Sequence, residues 1–166
     1  GTVGIRAIVE GCVQAPLKVL DVTKTGLGGE ADDVMRALSV SICRTLGVLS
    51  ELRMDENDLA CGEDALAPLC KLRNLRTLSF EKNRLSSIPS LIGTMLSLRR
   101  LLLHSNNLMV LPDSICLLSG LEQLDVHKNM ISTLPSAIGK LAGLQKLDIS
   151  ENKLSELPVS ICELSE

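Results

Sequence analysis

The chain has 166 residues, with 17 Lys and Arg against 20 Asp and Glu, which gives a formal net charge of −3. This near balance argues against a dedicated nucleic-acid-binding protein, which would carry a strong basic excess. Aromatic residues make up only 1% of the sequence, so stacking platforms for single-stranded nucleic acid are excluded and the core must be aliphatic.

Helix and strand signals alternate at the start of the chain. Apolar residues at helical spacing predict a helix over residues 5–13, and the alternation of Leu20 and Val22 predicts a strand after it. The glycine-rich segment 25–30 follows this strand as a phosphate loop would, but it lacks the Gly-Lys-Ser/Thr ending. We therefore interpret it as a flexible connection. A second helix is predicted over residues 33–46, from apolar residues four positions apart: Val34, Leu38, Ile42 and Leu46.

A repeated pattern, L-x-x-L-x-L-x-x-N-x-L, dominates the sequence. Its six copies begin at Leu17, Leu49, Leu75, Leu98, Leu121 and Leu144, and the last four are 23 residues apart. The L-x-L step has the period of a strand, so each copy predicts a short strand with its apolar residues on one face. The asparagine predicts an inward turn at which stacked side-chain amides bond backbone groups. This ladder would contain Asn57, Asn83, Asn106, Asn129 and Asn152, with Thr25 replacing asparagine in the first copy.

The second half of each 23-residue unit also repeats. An Ile-Pro or Leu-Pro pair, such as Ile88-Pro89, is followed three residues later by an isoleucine, such as Ile92. Proline favours an extended or turn entry, and the remaining residues leave room only for a short helical or 3₁₀ turn. The outer side of these units is therefore predicted to lack long helices.

The sequence resembles a leucine-rich-repeat protein along essentially its whole length. The last four units are similar to the intracellular Ras-group class, which includes Scribble-like and plant Ras-group-related proteins, and the first two to the ribonuclease-inhibitor class. The resemblance implies an α/β solenoid, with a parallel sheet on its concave side and helices and 3₁₀ turns on its convex side. We expect a single domain over 1–166, with longer helical repeats in 1–72 and regular repeats in 73–166, as a fragment of a longer protein.

The resemblance also implies a protein-binding role. If the fourth and sixth residues of each copy point into the core, the third, fifth, seventh and eighth face solvent on the concave side. Leu102 is apolar among these polar positions and neighbours Arg100 and His104, so it is a candidate contact. The candidate partner-binding residues are Arg53, Asp55, Glu81, Arg100, Leu102, His104, Asp125, His127 and Asp148.

Two clusters on this face suggest other chemistry. His104 and His127 occupy one position of adjacent strands near Asp125, as metal ligands would, but an open sheet offers little closure. We interpret them as exposed histidines and predict no metal, with pH-sensitive binding as an alternative. Asp125 and Asp148 lie next to each other as glycosidase carboxylates do, but we interpret them as a solvated charge network and predict no catalytic residues.

The six cysteines form no C-x-x-C pair, and three of them follow Ser-Ile in the outer half of a repeat. Recurrence at one position predicts small buried hydrophobes, at Cys43, Cys116 and Cys162. Together with the absence of an N-x-Ser/Thr sequon, this favours reduced thiols and a cytoplasmic protein.

The sequence therefore predicts a non-catalytic scaffold without cofactors, which binds a protein partner through the concave face. It predicts neither nucleic-acid binding nor membrane insertion, since no apolar run reaches the ~18–20 residues that span a bilayer. An alternative is a targeting or regulatory segment of a larger signalling enzyme, such as a kinase, GTPase or ubiquitin ligase. A third hypothesis, an extracellular recognition ectodomain, lacks sequence support. The partner and the oligomeric state stay open.

Overall fold

The computed structural model describes residues 17–28 and 48–164. The helices predicted over 5–13 and 33–46 lie outside these residues. Within them, each copy of the repeat forms a strand of three residues. The strands are Val19–Asp21 (β1), Glu51–Arg53 (β2), Thr77–Ser79 (β3), Arg100–Leu102 (β4), Gln123–Asp125 (β5) and Lys146–Asp148 (β6).

The six strands form one open parallel sheet in which each strand pairs with the next in sequence. Equivalent repeat positions lie side by side, because every unit returns the chain to the same edge in the same direction. The central residue of each strand is a leucine, and its side chain points away from the solvent-facing surface of the sheet. These residues form one column, made of Leu20, Leu52, Leu78, Leu101, Leu124 and Leu147. The predicted solenoid is confirmed.

The convex side consists of short elements, as the length of the units predicts. A single turn of α-helix, Glu63–Leu66 (α1), is the only α-helix in the described residues. Pro89, Pro112 and Pro158 have extended backbones and directly precede 3₁₀ helices, so the proline sets the direction in which the chain enters each turn. The 3₁₀ helices are Ala67–Lys71, Ser90–Thr94, Asp113–Leu117, Ile138–Lys140 and Val159–Glu163.

The core between the sheet and the convex turns is aliphatic except for Phe80, the single aromatic residue, which is buried. Leucines that begin the repeats, such as Leu75 and Leu121, have no exposed surface. Burial of such a side chain contributes about 1.5–3 kcal/mol, which offsets the entropy lost when the short strands are ordered. Each repeat completes the core of its neighbours, so the packing is continuous along the sheet.

Packing is looser in the last described repeat. Leu147, Ile149 and Leu154 are only partly buried, and Cys162 is exposed. The prediction that Cys162 is a buried small hydrophobe is therefore wrong, whereas the equivalent Cys116 is buried as predicted. The cause is that no further repeat among the described residues covers the turn that carries Cys162.

Candidate functional site

The candidate site is the concave face, which we define as the surface formed by the third, fifth, seventh and eighth residues of the repeats. The strands place the third and fifth residues on this face because successive side chains alternate across a sheet. The eighth residue then adopts a left-handed backbone, with φ between 50° and 57°. This conformation, unfavourable for residues other than glycine, turns the chain towards the core directly before the asparagine. It occurs at Lys24, Glu56, Lys82, Ser105, Lys128 and Glu151.

The asparagine ladder holds this turn in place. Asn106 is buried, and its Nδ2 donates hydrogen bonds to the carbonyl oxygens of Phe80, at 2.8 Å, and Leu103, at 3.0 Å. Its Oδ1 accepts a hydrogen bond from the backbone N–H of Leu85, at 2.9 Å. One amide thus joins two repeats and satisfies several buried backbone groups. Equivalent bonds are made by Asn57, Asn83, Asn129 and Asn152, so the predicted ladder is confirmed.

The turn in the first repeat uses different bonds. The Thr25 hydroxyl donates to the Val22 carbonyl oxygen at 2.7 Å, and it also lies 3.1 Å from Asn57 Oδ1. Thr25 is exposed, whereas Asn57 is buried. A hydroxyl has a single hydrogen to donate, so Thr25 cannot link two repeats as the asparagines do.

The concave face around β2 and β3 is tightly bonded and partly buried. Asp55 is only 9% exposed, and its Oδ1 accepts hydrogen bonds from Ser79 Oγ, at 2.6 Å, and from the backbone N–H of Glu81, at 2.7 Å. Thr77 and Ser79 are buried as well. We expected solvent-facing side chains at these positions, and the expectation is wrong for all three. The small side chains on β3 and the polar bonds across the strands withdraw them from solvent.

Arg53 on β2 and Arg100 on β4 belong to the two strands that pair with β3. Arg53 forms an ion pair with Glu51 on its own strand, and this contact raises the pKa of the Arg53 guanidinium. Arg100 is exposed, and its Nε donates to Thr77 Oγ1 at 3.1 Å. Both guanidinium groups are thus oriented by contacts within the sheet, which lowers the entropy lost if they bind a partner.

Leu102 lies half-buried near the middle of the concave face. Its register neighbours are the buried Ser79 on β3 and Asp125 on β5. Arg100 precedes it on the same face, and His104 follows it. The structure therefore brings together the three residues that the sequence singled out as one patch. Part of the leucine side chain is open to solvent between polar groups, where a partner would cover it.

The two histidines are stacked as their repeat positions predict. Their ring centroids lie 5.3 Å apart, with an angle of 31° between the ring planes. His104 Nε2 is 3.0 Å from Glu81 Oε2, and its Nδ1 is 3.1 Å from Ser105 Oγ. His127 Nε2 is 3.8 Å from Glu151 Oε1. Each ring thus lies beside a carboxylate.

Asp125 and Asp148 are register partners on β5 and β6. Asp125 Oδ1 accepts the backbone N–H of His127 at 3.1 Å. Asp148 Oδ1 accepts both the hydroxyl and the backbone N–H of Ser150, and these bonds lower the pKa of the Asp148 carboxyl. With His127, the two aspartates form a group of possible metal ligands whose donor atoms all lie within 4.8 Å of one another.

Sequence reasoning missed a ladder of charges along one edge of the concave face. The Glu56 carboxylate lies 3.0 Å from the ammonium groups of both Lys24 and Lys82, and these contacts lower the pKa of Glu56. The signal was the alternation of Lys, Glu and Lys at the eighth position of the first three repeats. These exposed pairs contribute little stability, but they fix the charge pattern of that edge.

Two buried cysteines have weakly reactive thiols. Cys70 and Cys116 are buried and form no disulfide, and burial raises the pKa of Cys70 to about 11 and also raises the pKa of Cys116. A raised pKa leaves little thiolate at neutral pH, so these thiols are poor nucleophiles. Cys12 and Cys43 lie outside the described residues.

In the part of the chain that the structure describes, no helix combines the length and apolar character needed to cross a bilayer.

Comparison with known protein families matches the repeats in the second half of the chain. A leucine-rich-repeat model matches residues 96–154, and a second leucine-rich-repeat model matches residues 74–95. These matches place leucine-rich repeats over residues 74–154, and the parallel strands and the asparagine ladder show the leucine-rich-repeat fold. This fold is a common protein-interaction module and is generally non-catalytic. A search of curated proteins gives no match to this chain.

Solved structures with the same fold come from bacteria and plants. A leucine-rich-repeat protein of Leptospira interrogans is 27% identical, with a TM-score of 0.75, and the match covers 93% of this chain and 43% of that protein. The ectodomain of the receptor kinase SOBIR1 from Arabidopsis thaliana is 28% identical, with a TM-score of 0.62, and the match covers 74% of this chain and 64% of that one. This chain therefore spans less than two thirds of each.

A third similar structure contains a ligand. The ectodomain of the Arabidopsis thaliana receptor kinase GASSHO1/SCHENGEN3, in complex with CASPARIAN STRIP INTEGRITY FACTOR 2, is 27% identical with a TM-score of 0.60. The match covers 78% of this chain and 18% of that one.

Proposed function

We propose that this protein is a non-catalytic scaffold that binds a protein partner through its concave face. One observation carries the proposal. The face of the sheet towards the core has the same residue type on every strand, whereas the concave face has different residue types. The column that faces the core is leucine on every strand, whereas the register-paired positions beside it carry Asp21, Arg53 and Leu102 on β1, β2 and β4. Side chains that do not affect stacking are free to differ, and a surface of different side chains is what partner recognition requires.

The half of the concave face around β4, β5 and β6 suits a partner best. Arg100 and Leu102 supply an oriented guanidinium and a partly exposed apolar side chain, a combination common at binding hot spots. Asp125 and Asp148 add neighbouring carboxylates that suit a cationic side chain of the partner. The proposed contact residues are Arg53, Glu81, Arg100, Leu102, His104, Asp125, His127 and Asp148. Asp55, also a sequence candidate, is assigned to the support of this face because its carboxylate is buried.

The similar structures support the proposal by analogy. The GASSHO1/SCHENGEN3 ectodomain is in complex with CASPARIAN STRIP INTEGRITY FACTOR 2, so a protein with this fold binds a ligand. The partner of the present chain does not follow from that complex, because fold alone does not specify a ligand.

A second candidate function is that of a targeting or regulatory segment within a larger signalling enzyme, such as a kinase, GTPase or ubiquitin ligase. Two of the similar structures are ectodomains of receptor kinases, and the chain spans only part of each. Immunoblotting of the native gene product distinguishes the two candidates. A product near 17.8 kDa supports the independent scaffold, and a much larger product with a catalytic domain supports the second candidate.

We also propose a cytoplasmic location and membership of the intracellular Ras-group class for the 23-residue units. Support comes from the recurring Leu-Pro or Ile-Pro step and from the free thiols of Cys70, Cys116 and Cys162. Fractionation of cells that express the native protein tests the location. Recovery in the secreted fraction would contradict it.

The binding proposal is tested by affinity purification with quantitative mass spectrometry. The double variant Arg100→Glu with Leu102→Glu reverses one charge and removes the apolar contact of the proposed patch. We expect partner recovery to fall about tenfold or more, since hot-spot residues typically contribute over 1 kcal/mol each. Leu117→Glu is the matched control, because Leu117 is 62% exposed on the convex side. Equal recovery with both variants, when circular dichroism shows both folded, would contradict the proposal.

A further inference from the structure

We propose that Asp125, His127 and Asp148 form a binding site for a divalent zinc ion on the concave face. The sequence predicted no metal here, because it considered the histidine pair on an open sheet. The structure places a different trio together: the donor atoms of Asp125, His127 and Asp148 lie within 4.8 Å of one another. These three residues also belong to the proposed partner-binding surface, and the zinc site goes beyond that proposed function.

The register of β5 and β6 creates the trio. Asp125 and Asp148 are paired residues of neighbouring strands, and His127 follows Asp125 by two residues on the same face. In each aspartate, Oδ1 accepts a hydrogen bond from a backbone N–H two residues later, at 3.1 Å. These bonds orient the carboxylates and use one oxygen of each. Hydrogen bonds that orient the ligands in this way are typical of protein metal sites.

The donor set favours zinc over the hard cations. One imidazole nitrogen with two carboxylate oxygens suits Zn²⁺, whereas Mg²⁺ and Ca²⁺ prefer oxygen ligands alone. Zinc bonds of about 2.0–2.2 Å place neighbouring donors roughly 3.4 Å apart, so rotation of these half-buried side chains must close the group by up to about 1.4 Å. Three protein ligands leave a fourth position open to solvent. His104 lies beside the His127 ligand, with ring centroids 5.3 Å apart.

Some charged residues near the site favour the binding of a cation, and others oppose it. Glu151 Oε1 lies 3.8 Å from His127 Nε2 and competes with an ion for that nitrogen or adds negative charge beside it. Lys146, on the strand of Asp148, adds a positive charge near that carboxylate that opposes binding of a cation. Both aspartates are half-buried, so their attraction for a divalent ion is less screened than at a fully exposed surface.

The test is a calorimetric titration of the tag-free, metal-stripped full chain with zinc chloride. A Cys162→Ser background removes the exposed thiol. We expect one zinc ion per chain, with affinity at least tenfold lower in His127→Gln and in Asp148→Asn. Asp21→Asn is the matched control. Asp21 Oδ1 accepts the Thr23 N–H as Asp148 accepts the Ser150 N–H, but the register neighbour of Asp21 is Arg53 rather than an acid.

The outcomes are distinct. A loss of affinity in His127→Gln and Asp148→Asn, with wild-type affinity in Asp21→Asn, supports the site. Absence of binding, equal affinity in all variants, or an equal loss in Asp21→Asn would overturn it. A thiolate charge-transfer band on cobalt(II) substitution would also overturn it, because the proposed ligands are nitrogen and oxygen. If partner binding by the Arg100/Leu102 patch persists while zinc binding is absent, only this inference fails.

Discussion

Asparagine at the ninth position of the repeat does more for this fold than any other single polar residue. The Asn106 amide bonds backbone groups of Phe80, Leu103 and Leu85, and Asn106 is itself buried. These bonds offset the cost of the left-handed residue that precedes the asparagine, roughly 1–3 kcal/mol in general. Because successive repeats share this arrangement, the chain leaves every strand in the same direction. That direction determines the surface that a partner could contact.

Replacement of this asparagine is expected to destabilise the protein measurably. Asn106→Ala leaves buried carbonyl and N–H groups without partners, which costs about 1–3 kcal/mol of the free energy of unfolding. Asn107→Ala is the control, because Asn107 is the next residue and is exposed. Its effect is expected to stay within about 0.5 kcal/mol. Urea unfolding measures both, and equal midpoints for the two variants would contradict the ladder.

The buried thiols give a pH-dependent prediction at the same scale. Burial raises the pKa of Cys70 to about 11, so at pH 8 about one thousandth of it is thiolate. Cys162 is exposed and is expected to react with a thiol reagent first, and Cys70 and Cys116 only slowly. Because the folded state holds the proton more tightly, the contribution of Cys70 to stability is complete below pH 9 and declines towards pH 11. Rapid labelling of Cys70 at pH 8, measured by peptide mass spectrometry, would contradict this burial.

At the scale of the element, each three-residue strand is stable only because its neighbours complete the core. Leu124, in the centre of β5, has no exposed surface and lies between Leu101 and Leu147 in the leucine column. The strand itself is too short to be stable alone, so the stability of each repeat depends on the repeats beside it.

Truncation of this column is therefore expected to be costly. Leu124→Ala removes buried methyl groups and leaves a cavity, which costs ~2–5 kcal/mol. Leu117→Ala, on the exposed convex side, is expected to change stability by less than about 0.5 kcal/mol. Thermal unfolding followed by circular dichroism compares the two. A melting temperature for Leu124→Ala that matches the wild type would show that the column does not hold the repeats together.

These elements show which parts of the fold follow from sequence. The strands, their order, the asparagine ladder and the short convex turns were predictable, because a strict period fixes which side chains face the core. The burial of Asp55, Thr77 and Ser79 was not predictable, because it depends on contacts between side chains of three different repeats. The exposure of Cys162 was not predictable from its repeat position for a related reason. Equivalent residues are equally buried only when a neighbouring repeat covers each of them.

At the scale of the whole molecule, the side chains that stabilise the solenoid and those proposed to bind a partner lie on opposite sides of the sheet. One side of the sheet repeats leucine to build the core, and the other side varies from strand to strand without disturbing the stack. The sequence predicted the members of the concave face from their repeat positions, and Asp55, Thr77 and Ser79 are buried instead of facing solvent. It did not reveal which carboxylates are already bonded, as in Asp55, or which lie within reach of a common ion, as in Asp125 and Asp148. Those distinctions depend on rotamers and distances rather than on spacing.

Site-specific photo-crosslinking tests the central claim, that the concave face binds the partner, most directly. A photoreactive residue replaces Gln123, which lies half-buried on the concave face in register with Arg100, or Leu117 on the convex side. We predict that a single partner protein crosslinks to position 123 in cells and that its yield at position 117 is at least about tenfold lower. The same partner captured equally at both positions, or at position 117 alone, would contradict recognition through the concave face.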